Sequence, residues 1–226
     1  MILPFVLFAS TSLAAERFVS VSGQCELRVI PDRGSVELSM EKTLPSVAAA
    51  VAEVTKRIDA ARAEVQKMSL AHLELQTSQF QVSERRDWEK DKHVFKGYSA
   101  VMGLTVSTSQ VTRLGDVLGM SARLSLTGSG NLRTYLSHEK QQAEYLRCLD
   151  LATVDARVKG ERLAAKFGAK LGAVLSVVEG PNQDAAPPPF ENKRMSLAEA
   201  SNSGAPSIDV GQHTLSSSIR VSFGLK

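Results

Sequence analysis

Two cysteines, Cys25 and Cys148, and four histidines, His72, His93, His138 and His213, are the side chains here best suited to nucleophilic, redox or metal chemistry. A reactive thiol needs a depressed pKa, supplied by a helix N-terminus or nearby cations. Cys25 falls on the apolar side of a predicted strand, and Cys148 lies more than a turn inside a predicted helix with Glu144 one turn before it. Both therefore read first as core residues, and a thiol-dependent antioxidant role for Cys25 or Cys148 is the alternative. If their elements face each other they can form a structural disulfide, which requires Cα atoms within about 7 Å. The histidines are scattered, with no second His or Cys at metal-ligand spacing, so no metal or other cofactor is expected. "GSG" at 128–130 reads as a turn and lacks the spacing of a phosphate loop, and there is no Gly-x-Ser-x-Gly elbow. No carboxylate pair marks one apolar face for acid–base work. No catalytic residue is named, and the expectation is a protein that is not an enzyme.

Compartment decides what a thiol can become. The run "MILPFVLFA" followed by "STSLAAERF" reads as a secretory signal peptide over residues 1–15, with small residues suited to cleavage after Ala14 or Ala15. A membrane-spanning helix would need about 20 apolar residues, and this run is interrupted by Pro4 and then by Ser10, Thr11 and Ser12, so no transmembrane span is expected. The reading is a periplasmic protein, with outer-membrane association as a variant, in a compartment that permits disulfides.

Charge argues against nucleic acid. The formal net charge is only +3. In the densest cluster, "ERRDWEKDKH" at 84–93, Arg85, Arg86, Lys90 and Lys92 are matched by Glu84, Asp87, Glu89 and Asp91. With Trp88 in its middle, the stretch is either a solvated hairpin tip or a partner-docking knob made of Arg85, Arg86 and Trp88.

The elements that must position these groups follow from periodicity. Val19, Val21, Gly23, Cys25, Leu27 and Val29 alternate with polar residues, as in a half-buried strand. After Pro31 and Gly34, the residues Val36, Leu38 and Met40 repeat the pattern, which predicts a β-hairpin. Val47, Val51, Val54, Ile58, Ala61, Val65 and Met68 recur at helical steps, marking a long amphipathic helix laid on a sheet; a coiled-coil seam between subunits is the other reading. Leu73, Leu75 and Thr77, then Phe80 and Val82, predict a strand with a bulge near Ser78, whose partner runs from Tyr98 to Val106. A shorter helix carries Val111, Leu114 and Leu118, and a loop and strand occupy 124–137. The longest helix, about Glu139 to Phe167, should bury Tyr145, Leu149, Ala152, Ala156, Gly160, Leu163 and Phe167. A strand at Val174 to Val178 leads into residues 181–206, where five of the eight prolines lie, read as a flexible excursion. Leu215, Ile219, Val221 and Phe223 predict a closing strand. The fold class is α+β: a largely antiparallel sheet built from hairpins, with two long helices and one shorter helix on one face.

In this order, "VSGQCELRVIPDRGSVELSM", "LELQTSQFQVS", "KGYSAVMGLTV", "VDARVKGERLAAKFGAKLGAVLSV" and "LSSSIRVSFGL" resemble the successive segments of the SIMPL-domain family. The resemblance covers about residues 18–226, so 16–226 is taken as one SIMPL-like domain. The family includes bacterial periplasmic immunogenic and oxidative-stress-defence proteins and a eukaryotic relative associated with a signalling kinase. The resemblance implies an α+β fold, export, and in some cases large homo-oligomers; it carries over no catalytic residue. Where Cys25 stands, the first-strand motif usually has a small or acidic residue, so no family role transfers to that thiol. The expectation is a non-enzymatic protein acting by self-assembly or by binding a protein partner or envelope component, in envelope or oxidative stress tolerance. A peptide- or partner-binding module using the 84–93 hairpin is the remaining alternative.

Overall fold

The computed structural model describes residues 17–89, 91–180 and 207–226. The predicted signal peptide, 1–15, and the proline-rich stretch, 181–206, lie outside the described residues. In chain order the elements are β1 (Phe18–Val29), β2 (Arg33–Leu44), α1 (Val47–Lys67), β3 (Glu74–Glu89), β4 (Lys92–Thr108), a 3-10 turn (Val111–Arg113), α2 (Leu114–Arg123), β5 (Gly128–Tyr135), α3 (His138–Lys166), β6 (Leu171–Glu179) and β7 (His213–Leu225). The fold is α+β with antiparallel pairing, and α1, α2 and α3 have 21, 10 and 29 residues. Within 16–226 the described chain forms two compact units. Of the described residues, one takes 17–27, 145–180 and 215–226, the other 28–89, 91–144 and 207–214.

The strands form two sheets where the sequence pattern suggested one: β1-β7-β6, and β3-β4-β2-β5. The predicted hairpin of β1 with β2 is not formed. Both edges of β2 are occupied, by β4 and by β5, so no ladder remains for β1, which pairs with the closing strand β7 instead. Between β1 and β2, Asp32 is occupied by Ser137, whose N–H and hydroxyl donate to its carboxylate at 2.7 and 2.6 Å. Ser137 in turn caps α3, its Oγ accepting the Lys140 N–H at 3.3 Å.

In the four-stranded unit, alternation along β2 sends Val36, Leu38 and Met40 to the core, opposite Val106, Leu104 and Met102 of β4. Helix α1 starts where Ser46 Oγ accepts the Ala49 N–H and lays Ala50, Val54, Ile58, Ala61 and Val65 on that face. Val111 of the 3-10 turn and Leu114, Val117 and Met120 of α2 complete it. The bulge expected near Ser78 is present, as a register shift between Thr77 and Gln79. The opposite sheet face is polar: Glu37 accepts hydrogen bonds from Asn131 Nδ2 and Ser78 Oγ, which hold its carboxyl below the usual range against a smaller opposing effect of burial.

In the three-stranded unit, α3 buries Cys148, Ala152, Ala156, Gly160 and Ala164. This corrects the predicted stripe: Phe167 is 82% exposed, and Leu163 is also open. Close approach is the reason. A Cβ on Gly23 of β1 would lie 1.9 Å from the Ala152 carbonyl oxygen, so helix and strand meet backbone to backbone and only small side chains fit between them. Val21, Ile219, Val221 and Phe223 fill the remaining core.

Candidate functional site

The chemically capable residues lie in separate places. Strand β1 turns Cys25 inward, half-buried, and α3 turns Cys148 inward, fully buried. The structure joins them: the sulfurs are 2.11 Å apart and the Cα atoms 5.5 Å apart, across 123 residues of sequence. Around them α3 grips the outer edge of β1. Asp155 accepts the Gln24 N–H at 2.9 Å, and Lys159 Nζ donates to the Ser22 carbonyl at 3.1 Å while pairing with Asp155 at 2.6 Å. Lys159, then the Gln24 N–H, hold the Asp155 carboxyl below its usual range. The cluster is mechanical: its ionisable groups bind backbone, and its sulfurs are bonded to each other. Sequence reasoning did not single out Asp155 and Lys159, although an i,i+4 pair on a helix was a visible signal.

The histidines do not converge. His72 Nδ1 lies 3.1 Å from Ser109 Oγ, His213 Nε2 lies 3.2 Å from Thr134 Oγ1, and His138 opens α3. Among the described residues, no group of three His, Cys, Asp or Glu is placed to hold a metal ion. A cleft of about 370 Å³ is lined by Ser22, Gln24, Glu179, Gly180, Ser218 and Arg220, among others. Its carboxylate, Glu179, accepts the Tyr145 hydroxyl.

The third candidate is the β3–β4 hairpin. Strand β4 pairs with β2 only from Tyr98 onward; residues 92–97 pair with β3 alone, so the hairpin leaves the sheet as a two-stranded arm. Gly97 sits at the departure point with φ +120°, and a Cβ there would be 2.5 Å from the Leu44 carbonyl oxygen, so the bend requires glycine. Pairing sets Trp88 opposite His93 and Arg86 opposite Phe95. The Trp88 and His93 rings meet edge-on at 4.7 Å, and Phe95 and Tyr98 do so at 5.4 Å. Trp88 is 63% exposed and Phe95 47%.

Of the three arm residues singled out in the sequence, Arg86 and Trp88 share this aromatic face, while Arg85 lies on the other. There Arg85 pairs with Asp87 at 3.0 Å and Lys96 with Glu89 at 2.6 Å, and the Glu89 contact raises the Lys96 pKa. These residues line a groove of about 770 Å³ together with Glu41, Lys42, Thr43 and Thr127. Phe95 lay just beyond the charged window and was missed; the pairing register that brings it beside Arg86 is not visible in the sequence alone.

No helix among the described residues is long and apolar enough to cross a membrane. Two curated proteins are similar to this chain: the 26 kDa periplasmic immunogenic proteins of Brucella melitensis and Brucella abortus. Each is 25% identical over 218 residues, which span 92% of this chain and 84% of the relative. The family described as SIMPL, a protein of unknown function (DUF541), matches residues 19–223, from the second residue of β1 to near the end of β7. The chain therefore belongs to the SIMPL family.

Proposed function

We propose that this SIMPL protein is exported to the periplasm and acts there by contact with protein chains, itself included, rather than by turnover, in a role in envelope or oxidative stress tolerance. The observation that carries the reading is the arm. A two-stranded ribbon is marginal in water, and this one presents Arg86, Trp88, His93 and Phe95 side by side. Trp and Arg are the residue types that dominate binding energy in protein interfaces. The periplasmic relatives support the compartment, and the Cys25–Cys148 bond suits an oxidising one. A thiol-dependent antioxidant reading would require that bond to open around a fully buried Cys148; no observation favours it.

The test is in-cell photo-crosslinking of the full chain with a benzoylphenylalanine at position 88, and with one at the α2 residue Asp116 as control. Protein adducts from position 88 and none from 116 are expected. Equal yields from both positions, or a saturable turnover activity abolished by one point change, would overturn the reading. A Cys25→Ser, Cys148→Ser variant that keeps any peroxide protection would separately remove the thiol alternative.

A further inference from the structure

The three-stranded sheet has two unlike faces. One carries Val21, Ile219, Val221 and Phe223 against α3. The other is polar, and its centre is Arg220 of β7. On one side of Arg220 stands Val178 of β6, and next along that ladder the Gly180 N–H donates to the Ser218 carbonyl at 2.8 Å. On the other side, the Leu225 N–H donates to the Arg17 carbonyl at 2.8 Å and Ser222 Oγ to Ser20 Oγ at 3.3 Å. The same antiparallel register sets Ser22 of β1 beside Arg220 and Gln24 beside Ser218.

These residues line the cleft of about 370 Å³. It is hollow because Gly180 has no side chain: a Cβ there would lie 2.4 Å from Ser218 Oγ. The backbone of Ser22 and Gln24 is engaged by Lys159 and Asp155. The side chains of Ser22, Gln24, Ser218 and Arg220, however, have no hydrogen-bond or ion-pair partner among the described residues. Arg220 is the only cation among the residues that line the cleft. Its lining carboxylate, Glu179, pairs with Ile219 on the α3 face and accepts the Tyr145 hydroxyl there, and Asp155 is matched by Lys159 at 2.6 Å. The charge of Arg220 is therefore unbalanced where the donors converge.

That donor set selects a ligand. A guanidinium offers two parallel N–H groups that fit a carboxylate, and two hydroxyls and an amide beside it supply further donors. One unbalanced positive charge matches one negative charge, which favours a carboxylate over a phosphate dianion. Val178, 59% exposed, forms an apolar wall directly beside Arg220, and the volume lies at the small end of ligand sites. We infer that this cleft binds a carboxylate with an apolar substituent next to it, as presented by the last residue of a peptide chain or by a small free acid. The site belongs to the other unit from the arm, and the inference does not rest on the role proposed for the arm.

The test is a titration of the isotope-labelled full chain, followed through the backbone amide signals of Ser22, Gln24, Ser218 and Arg220. The probes are acetyl-Ala-Ala-Val with a free C-terminus, the same peptide as its C-terminal amide, isovalerate and inorganic phosphate. Saturable shifts at these four residues with the free-acid peptide, and none with the amide, are expected. Isovalerate separates the two sources: equal binding supports a small free acid, and binding of the peptide alone supports a chain terminus. Arg220→Gln should weaken binding by about tenfold or more. Arg220→Lys, which keeps the charge and loses the fork, should weaken it less, and Arg133→Gln on β5 should leave it unaltered. Comparing acid with amide on the wild type keeps the test independent of how any variant folds. Equal binding of acid and amide, tighter binding of phosphate than of either carboxylate, undiminished binding in Arg220→Gln, or no saturable shift with either carboxylate would overturn the inference.

Discussion

The two units of this protein reach stability by different means. In the four-stranded unit, sixteen buried side chains from two helices, two strands, the 3-10 turn and Leu70 form one core, from Val36 to Met120, and no disulfide is present in it among the described residues. In the three-stranded unit, six buried side chains, two of them alanines, form the core. That unit holds the disulfide, the Asp155–Lys159 clamp and the open strand β6. A small core cannot offset chain entropy unaided, so the unit with little to bury is the one that is stapled.

The largest effect should come from removing core in the well-filled unit. Leu38→Ala, at a fully buried position, should lower the free energy of unfolding by about 2–5 kcal/mol, read by denaturant titration. The corresponding break in the three-stranded unit is the staple. Cys25→Ser with Cys148→Ser opens a loop of 123 residues and should destabilise by about 2–4 kcal/mol. A cost below about 0.5 kcal/mol for the double variant would mean that the small core suffices and that the contrast fails.

The smallest effect sharpens the comparison through pH. Burial acts to raise the Asp32 pKa, but the Ser137 hydroxyl and N–H, with Lys140 nearby, outweigh it and hold it below the ordinary 3.8. A lowered carboxyl contributes stability above its unfolded value, and the contribution is lost as pH falls through the folded value. Asp32→Ala should therefore cost about 1–2 kcal/mol at pH 7. Its difference from wild type should shrink as pH drops below about 4.

How far the sequence could be read differs between the same two units. Periodicity placed α1 within a residue or so, because valines and an isoleucine at helical steps face a sheet of ordinary depth. It missed the rotation of α3, because an all-small stripe at steps of four is a weaker signal than Leu163 and Phe167, and only the contact at Gly23 shows why the small side wins. The alternation of β1 was legible, but its partner was not, since nothing local couples Phe18–Val29 to a strand at His213–Leu225. Cys25 and Cys148 were each placed inward from pattern alone, yet the pairing needed the three-dimensional approach of β1 to α3. For the arm, the charged window exposed Arg86 and Trp88 and hid Phe95, because cross-strand register decides which side chains are neighbours.

Amide hydrogen exchange across β1, compared between the oxidised and the reduced full-length protein, tests most directly whether the under-filled unit is held by its Cys25–Cys148 staple. Amides of β1 should be protected while the bond is intact and lose protection when it is reduced, while those of β2 and β4 stay unchanged. Amides of β1 that keep the same protection after reduction would contradict the account.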